Sequence, residues 1–204
     1  IAADGTRSHI RQSLHLDYRG FDAPGHSSIA DVEASNLPDT PAARVFLLPK
    51  GKAVLVLPLS QSRVRVVSNT ADGLAAMPIP LSITKTHRTG GFTVSVRQIE
   101  RYRAGRIYFA GDSAHCHSPV GGRGMNLGVA DAADLAARFA NGTLDGYHTA
   151  RHCAGTRVMG FSERMRGVLT NPNPTVRLAT TTALRTINHL PPLKRRIAET
   201  MLQM

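Results

Sequence analysis

Apolar and polar positions alternate along three neighbouring stretches of this chain: Arg44–Pro49, Ala53–Leu59 and Ser62–Ser68. Each reads as a β-strand bounded by turn residues. Val64 and Val66 interleave with Arg63 and Arg65, the pattern of a sheet with one wet face. Lys50-Gly51-Lys52 fits a tight turn between the first two strands. Phe92–Arg97 alternates again and predicts a returning strand, followed by a lead-in from Gln98 to Ala104. Asp31–Ala34 predicts a short strand inside a connector from Phe21 to Leu37, and Pro38 and Pro41 mark a break. Asn69–Gly91 is polar and interrupted by Pro78, Pro80 and Gly90-Gly91, so it predicts no regular element. The second half follows a different period. Arg106–Ala110 is a short, mostly apolar run that reads as a buried strand. Asn126–Ala140 has helical spacing (Leu127, Ala130, Ala133 or Asp134, Ala137) and stops at Asn141-Gly142. Leu144–Thr170 predicts a long helix whose stripe of Val158, Phe161, Met165 and Val168 or Leu169 reads as core packing. Asn171–Pro174 ends it. Val176–Leu190 predicts another helix, with Leu184, Ile187 and Leu190 on one side, and after Pro191-Pro192 a last short one spans Leu193–Leu202.

With 204 residues and 42% hydrophobic content, the chain can form one large domain or two small ones. No stretch approaches the length of a membrane-spanning helix. The opening IAADGTRSH is neither a charged leader nor a signal segment, and Ile1-Ala2-Ala3 looks like the tail of a strand, so the chain is expected to begin in the middle of a fold. Cys116 and Cys153 are the only cysteines and lie far apart, which suggests a reducing compartment rather than a disulfide framework. His115-Cys116-His117 lacks an assured third or fourth ligand, so no metal site is expected. Net charge is +11, and from Arg151 onward nine Lys or Arg face two Glu. A solvated helical face accounts for this, as does adsorption of basic helices to an anionic membrane surface. A nucleic-acid partner is not expected, because neither a recognition motif nor an aromatic stacking platform accompanies the charge.

The segment Gly105–Phe139 organises the rest: a strand, the acidic turn Gly111-Asp112, a loop carrying Pro119, Gly121, Gly122 and Gly124, then a helix containing Gly128. A helix start offers unpaired N–H groups and the positive end of the dipole, and glycines let a flat or anionic ligand approach the backbone. Asp112 can accept hydrogen bonds from a polyol. An ordinary strand-to-helix connection reads the same way, and Asp4-Gly5 taken alone is a turn.

The run AGDSAHCHSPVGGRGMNLGVADAADLA resembles the flavin-binding "GD" motif of the flavoprotein aromatic hydroxylases, the group A monooxygenases, and its SPVGGRGMNLG portion is similar to the ubiquinone-biosynthesis hydroxylases. Asp4-Gly5-Thr6-Arg7-Ser8-His9-Ile10-Arg11 resembles the family's "DG" motif, D-G-x-x-S-x-x-R, and precedes the first in the family's order. The resemblance implies a mixed α/β fold. Residues 1–20 and 98–143 would be the remaining part of an FAD-binding domain, 21–97 an antiparallel substrate-domain sheet, and 144–204 C-terminal helices. No G-x-G-x-x-G fingerprint precedes Asp4, so the dinucleotide-binding unit is expected to be missing and the chain to be a fragment that is inactive by itself. Implied cofactor contacts are Asp4, Gly5, Arg11, Gly111, Asp112, Pro119, Gly122, Gly124, Met125 and Asn126. Asp112 would hold ribityl hydroxyls, Arg7 and Arg11 phosphate, and the N–H groups from Gly122 to Asn126 the reduced pyrimidine ring. The family uses FAD with NAD(P)H as co-substrate to hydroxylate a phenol-like ring with O₂; a cytoplasmic enzyme is expected, with contact at the inner membrane face through its basic C-terminal helices as one alternative to a solvated helical face. No catalytic acid or base is nominated. A flavin-dependent reductase on the same scaffold and a non-catalytic remnant are the rival readings.

Overall fold

A computed structural model describes residues 1–37, 42–190, 192, 195 and 196. Its helices are α1 (His9–Ser13), α2 (Gly124–Asn141), α3 (Tyr147–Leu169) and α4 (Pro174–His189). Its strands are β1 (Tyr18–Asp22), β2 (Ser27–Ala34), β3 (Arg44–Leu47), β4 (Ala53–Pro58), β5 (Arg63–Ser68), β6 (Ile83–Phe92), β7 (Ser95–Ile99), β8 (Arg103–Ala104), β9 (Ile107–Tyr108) and β10 (His115–Cys116). These form two compact units, one of residues 1–23 and 94–166, the other of residues 24–93 with the stretch from 167 on. Residues 144–166 thus group with the first unit.

In the first unit β1 and β10 flank β7, both antiparallel to it. Ala2 forms a parallel bridge with Phe109. The core gathers Ala2, Ile99, Tyr102, Phe109, Leu135 and Tyr147. Burial of aromatic side chains such as Phe109 is worth about 1.5–3 kcal/mol each, and the Tyr147 hydroxyl meets its need for a partner by donating to Phe109 O at 2.9 Å. Helix α2 buries Leu127, Asp131 and Leu135, four residues apart on one face. It ends at Gly142 in the left-handed conformation that glycine adopts without strain.

The second unit is an antiparallel sheet in the order β3-β4-β5-β2-β6. Its strands alternate as expected. Ala30, Val32, Val54, Val56, Val64 and Val66 are buried against Leu74, Met77 and Leu81, while the intervening residues of β4 and β5 are half-exposed. Asp72 shapes the covering segment, its carboxylate accepting from the N–H groups of Leu74 and Ala75.

The sequence expectation misses several elements. β6 falls in the stretch read as irregular. It is a ten-residue edge strand with the polar sequence ITKTHRTGGF, exposed along almost its whole length. It owes its place to the backbone ladder with β2, which side-chain pattern does not report. β2 contains the short strand expected over Asp31–Ala34 but starts four residues earlier, β1 reads as no element in the sequence and ends inside the connector, and β7 starts three residues beyond the expected Phe92. The short helix α1 was not anticipated. Helix α2 begins two residues early, at Gly124. Most of the helix expected over 193–202, like Pro38 and Pro41, lies outside the described residues. No helix among the described residues is long and apolar enough to cross a membrane.

Candidate functional site

The two motifs meet through the backbone. The Ala2 N–H donates to Tyr108 O at 2.7 Å and the Ala110 N–H to Ala2 O at 3.0 Å. Two parallel segments therefore end side by side, and Asp4-Gly5 and Gly111-Asp112 leave from the same end. In open α/β sheets ligands gather at the carboxyl ends of parallel strands. The Ser113 hydroxyl, fully buried, lies 2.6 Å from Ala2 O and 2.8 Å from Ala110 O and seals the junction.

Arg11 braces the turns from behind. Its guanidinium donates to Thr6 O at 2.6 Å and to Ser113 O at 2.8 Å, and lies 3.8 Å from the centroid of the Tyr18 ring. The sequence reading makes Arg11 a phosphate partner; in the structure its side chain is buried and these donors are directed at backbone carbonyls. Tyr18 in turn donates to Asp112 O at 2.9 Å. Burial and the neighbouring Cys116 thiol push its phenol pKa upward, so it stays a donor. Asp4 is exposed. The Ser8 hydrogen bond holds its carboxyl below the usual range against the opposing effect of desolvation, with the Ile10 N–H assisting. It thereby steadies the start of α1.

The hub of the site is Asp131, fully buried on α2. Its Oδ2 accepts from the Gly111 N–H at 2.9 Å and lies 2.6 Å from His115 Nε2; its Oδ1 accepts from Arg151 Nε at 2.6 Å. Burial raises the pKa of this carboxyl, but the His115 contact, the Gly111 N–H and Arg151 outweigh it and the net direction is down. His115, itself buried, leaves Nδ1 without a hydrogen-bond partner. Asp131 was not singled out from the sequence. The available signal was its position on the Leu127–Leu135 face, where an acid on an apolar stripe must be satisfied internally. Arg151 was counted only among the basic residues.

Two glycines bring the acidic turn to the helix. Gly111 has φ +62°, and a Cβ on Gly128 would stand 3.3 Å from Gly111 Cα, so turn and first helical turns pack backbone to backbone. The loop between them closes through Gly122 N–H to Pro119 O at 3.0 Å. Gly122 has φ +63° and nothing within 4 Å of where a Cβ would stand. Arg123 at the N-cap gives no side-chain cap to α2, so no cap side chain covers the N–H groups of Gly124, Met125 and Asn126. Met125 and Asn126 are exposed, as are Pro119 and Asp112. Burial lowers the pKa of His117, whose ring lies beside Gly124, so it stays neutral at pH 7. The structure therefore unites Asp4, Gly5, Gly111, Asp112, Gly122, Gly124, Met125 and Asn126 in one unit, with an open carboxylate and uncapped amides on the two sides of a glycine contact. That donor set fits a flavin: an acceptor for ribityl hydroxyls and N–H groups for an electron-rich ring, on two elements that pack backbone to backbone.

Comparison with known proteins agrees. Residues 74–162 match a family described as an FAD binding domain. The chain is 40% identical to the rifampicin monooxygenase of Streptomyces venezuelae over 85% of its length and 42% of that protein's. It is 30% identical to the pentachlorophenol 4-monooxygenase of Sphingobium chlorophenolicum over 83% of its length and 36% of that protein's. The solved anhydrotetracycline hydroxylase of Streptomyces rimosus superposes with a TM-score of 0.74 at 26% identity, covering 97% of this chain and 44% of the other. The chain thus spans about two-fifths of the length of these relatives. Both flavin motifs, their order, the fold around them and these likenesses make FAD-dependent aromatic hydroxylases the homologues of this chain.

Proposed function

We propose that this chain holds the ribityl and pyrimidine side of FAD in an enzyme that hydroxylates a phenol-like aromatic ring with O₂, using NAD(P)H as reductant. The observation that carries the reading is the Gly111–Gly128 contact, which keeps the Asp112 carboxylate and the uncapped start of α2 together. Flavin, when bound, supplies the two-electron chemistry that activates oxygen. The chain's own residues bind and orient it. Asp112 accepts from ribityl hydroxyls, Asp4 and Gly5 line the neighbouring turn, and Pro119 walls the loop. The N–H groups from Gly122 to Asn126 stabilise negative charge, helped by the helix dipole. Arg11, Asp131 and His115 position these groups without touching the ligand. The relatives' names cover rifampicin, pentachlorophenol and anhydrotetracycline, which supports an aromatic substrate as a class. Helix α4, with Leu178 exposed beside Arg177, supports a peripheral contact with anionic membrane. Co-sedimentation with phosphatidylserine vesicles that fades with salt is expected, and no binding at low salt removes that contact.

The central test is titration of the purified chain with FAD, followed by quenching of flavin fluorescence. Saturable binding that weakens about tenfold in Asp112→Ala supports the reading, on the basis that a hydrogen bond to a charged group contributes about 1.5–3 kcal/mol. A chain that leaves added FAD free in solution refutes it. For the parent enzyme, incorporation of labelled oxygen into product separates hydroxylation from plain reduction.

A further inference from the structure

The loop between the acidic turn and α2 carries a titratable ring that is not among the flavin contacts. His117 bonds through Nδ1 to Ser118 O at 2.8 Å. A carbonyl only accepts, so Nδ1 carries the proton of the neutral ring and Nε2 is left as a bare lone pair. That nitrogen is shielded from solvent and has no hydrogen-bond partner among the described residues. It lies against the helix start: a Cβ on Gly124 would stand 3.8 Å from Nε2 and 4.0 Å from Cε1. Gly124 is the first residue of α2, whose N–H groups lack a side-chain cap.

The charges around the ring come from its own segment, from α2 and from α3. Burial is the largest influence and holds the ring's pKa below the ordinary histidine value. Within its own segment, the Ser118 carbonyl favours the charged ring, His115 disfavours it and Asp112 favours it. From α3, Glu163 favours it too, but Glu163 is itself gripped by Arg166, with bonds of 2.9 Å and 2.7 Å to Oε2. Arg123, beside Gly124, lies 5.1 Å from the centroid of the Phe161 ring. From α2, the positive end of the dipole opposes protonation. Negative charge delivered to the uncapped amides cancels that opposition and adds an attraction. At a separation of a few ångströms such a charge moves a pKa by about one unit or more. A ring with one nitrogen tethered and the other bare can answer by accepting a proton at Nε2 without turning.

We propose that His117 is a proton-linked positioning residue of the flavin site: Nε2 takes up a proton when negative charge settles at the start of α2 and releases it when that charge leaves. The ring acts through the helix start and does not touch the ligand. Hydride from a nicotinamide adds two electrons and one proton to the site, hence one negative charge. The proton that offsets this charge passes from water to Nε2. The inference deepens the proposed flavin binding and rests on it.

The experiment is NMR titration of the His117 ring in the isotope-labelled wild-type chain, assigned by through-bond correlation to its backbone. It is run without flavin, with FAD, and with FAD reduced by dithionite under anaerobic conditions. The ring pKa should stand below the ordinary histidine value without flavin. It should rise by at least about one unit between the oxidised and the reduced complex. The midpoint potential of the bound flavin against pH adds a readout that a merely structural residue does not move. One extra proton per two electrons is a tenfold change per pH unit, about 30 mV. Between the two ring pKa values the wild type should be steeper than His117→Asn by up to that amount. The asparagine amide keeps a donor for Ser118 O and cannot ionise. His26→Gln, at an exposed histidine of the second unit, should keep the wild-type slope. A His117 pKa that is the same in both complexes, or equal slopes in wild type and His117→Asn, overturns the inference. Fluorescence titration with FAD separates the outcomes: a chain that binds FAD with an unmoved His117 loses only the proton link, and a chain that binds none loses the flavin reading as well.

Discussion

Replacing Asp131 by alanine removes one side chain and takes the carboxylate partner from three groups at once: the Gly111 N–H, His115 Nε2 and Arg151 Nε. All three contacts are at 2.6–2.9 Å and the carboxylate is fully buried. Breaking a buried, hydrogen-bonded charge pair from one side destabilises by about 3–5 kcal/mol, which for a chain of this length lowers the melting midpoint by roughly 6–20 °C. Asp131→Asn is informative because it preserves shape. With its oxygen toward Gly111 and His115, its NH₂ meets Arg151; flipped, the NH₂ meets the Gly111 N–H. A donor faces a donor either way, so a loss of about 1–3 kcal/mol is expected. Pairing Asp131→Ala with Arg151→Met should recover part of the loss, since the stranded cation goes too. The pH dependence has a definite sign. Despite its burial, the folded-state pKa of Asp131 is held below that of a free aspartate by His115, the Gly111 N–H and Arg151. Its ionised form therefore stabilises the fold above that value, and the contribution fades as pH falls through the folded pKa. The stability gap between wild type and Asp131→Asn should accordingly be full at neutral pH and close in acid below about pH 4. Urea unfolding of the flavin-free chain across pH measures this directly. An alanine variant within 1 kcal/mol of wild type, or a gap that persists undiminished in strong acid, refutes the assignment of Asp131 as the hub.

Asp112→Ala should behave in the opposite way. The carboxylate is exposed and accepts no hydrogen bond among the described residues, so flavin-free stability should change by less than about 0.5 kcal/mol while FAD affinity drops; a large stability loss would assign it a structural task instead. Arg11→Met should destabilise the flavin-free chain by about 1–3 kcal/mol, because the carbonyls of Thr6 and Ser113 lose a buried donor. A phosphate-binding role would instead leave the flavin-free chain untouched and appear only on titration with FAD. Gly128→Val drives a branched side chain against Gly111 Cα and should cost about 1–3 kcal/mol, with weakened FAD binding; unchanged backbone amide shifts at Gly111 and Asp112 would show that the two elements do not rely on this contact.

The sequence alone determined the elements whose chemistry is local. The alternation of Val64 and Val66 with Arg63 and Arg65, the helical spacing after Gly124 and the stop at Gly142 all follow from periods and backbone preferences that need no partner. The two flavin motifs were equally legible, because glycine and aspartate at fixed offsets serve one kind of ligand. What only the tertiary structure decided was which side chains answer to one another. Strand β6 carries no apolar alternation, since its stabilisation comes from main-chain bonds to β2. Arg11 reads from its motif as a phosphate partner, and its role as a buried brace is visible only when Ser113, 102 positions away, presents its carbonyl. Asp131 reads as one more helix acid until the fold encloses it with His115, Arg151 and the Gly111 amide. A buried polar group gets its role from the partners that satisfy it, and those partners are assembled by packing over distances that no local pattern encodes.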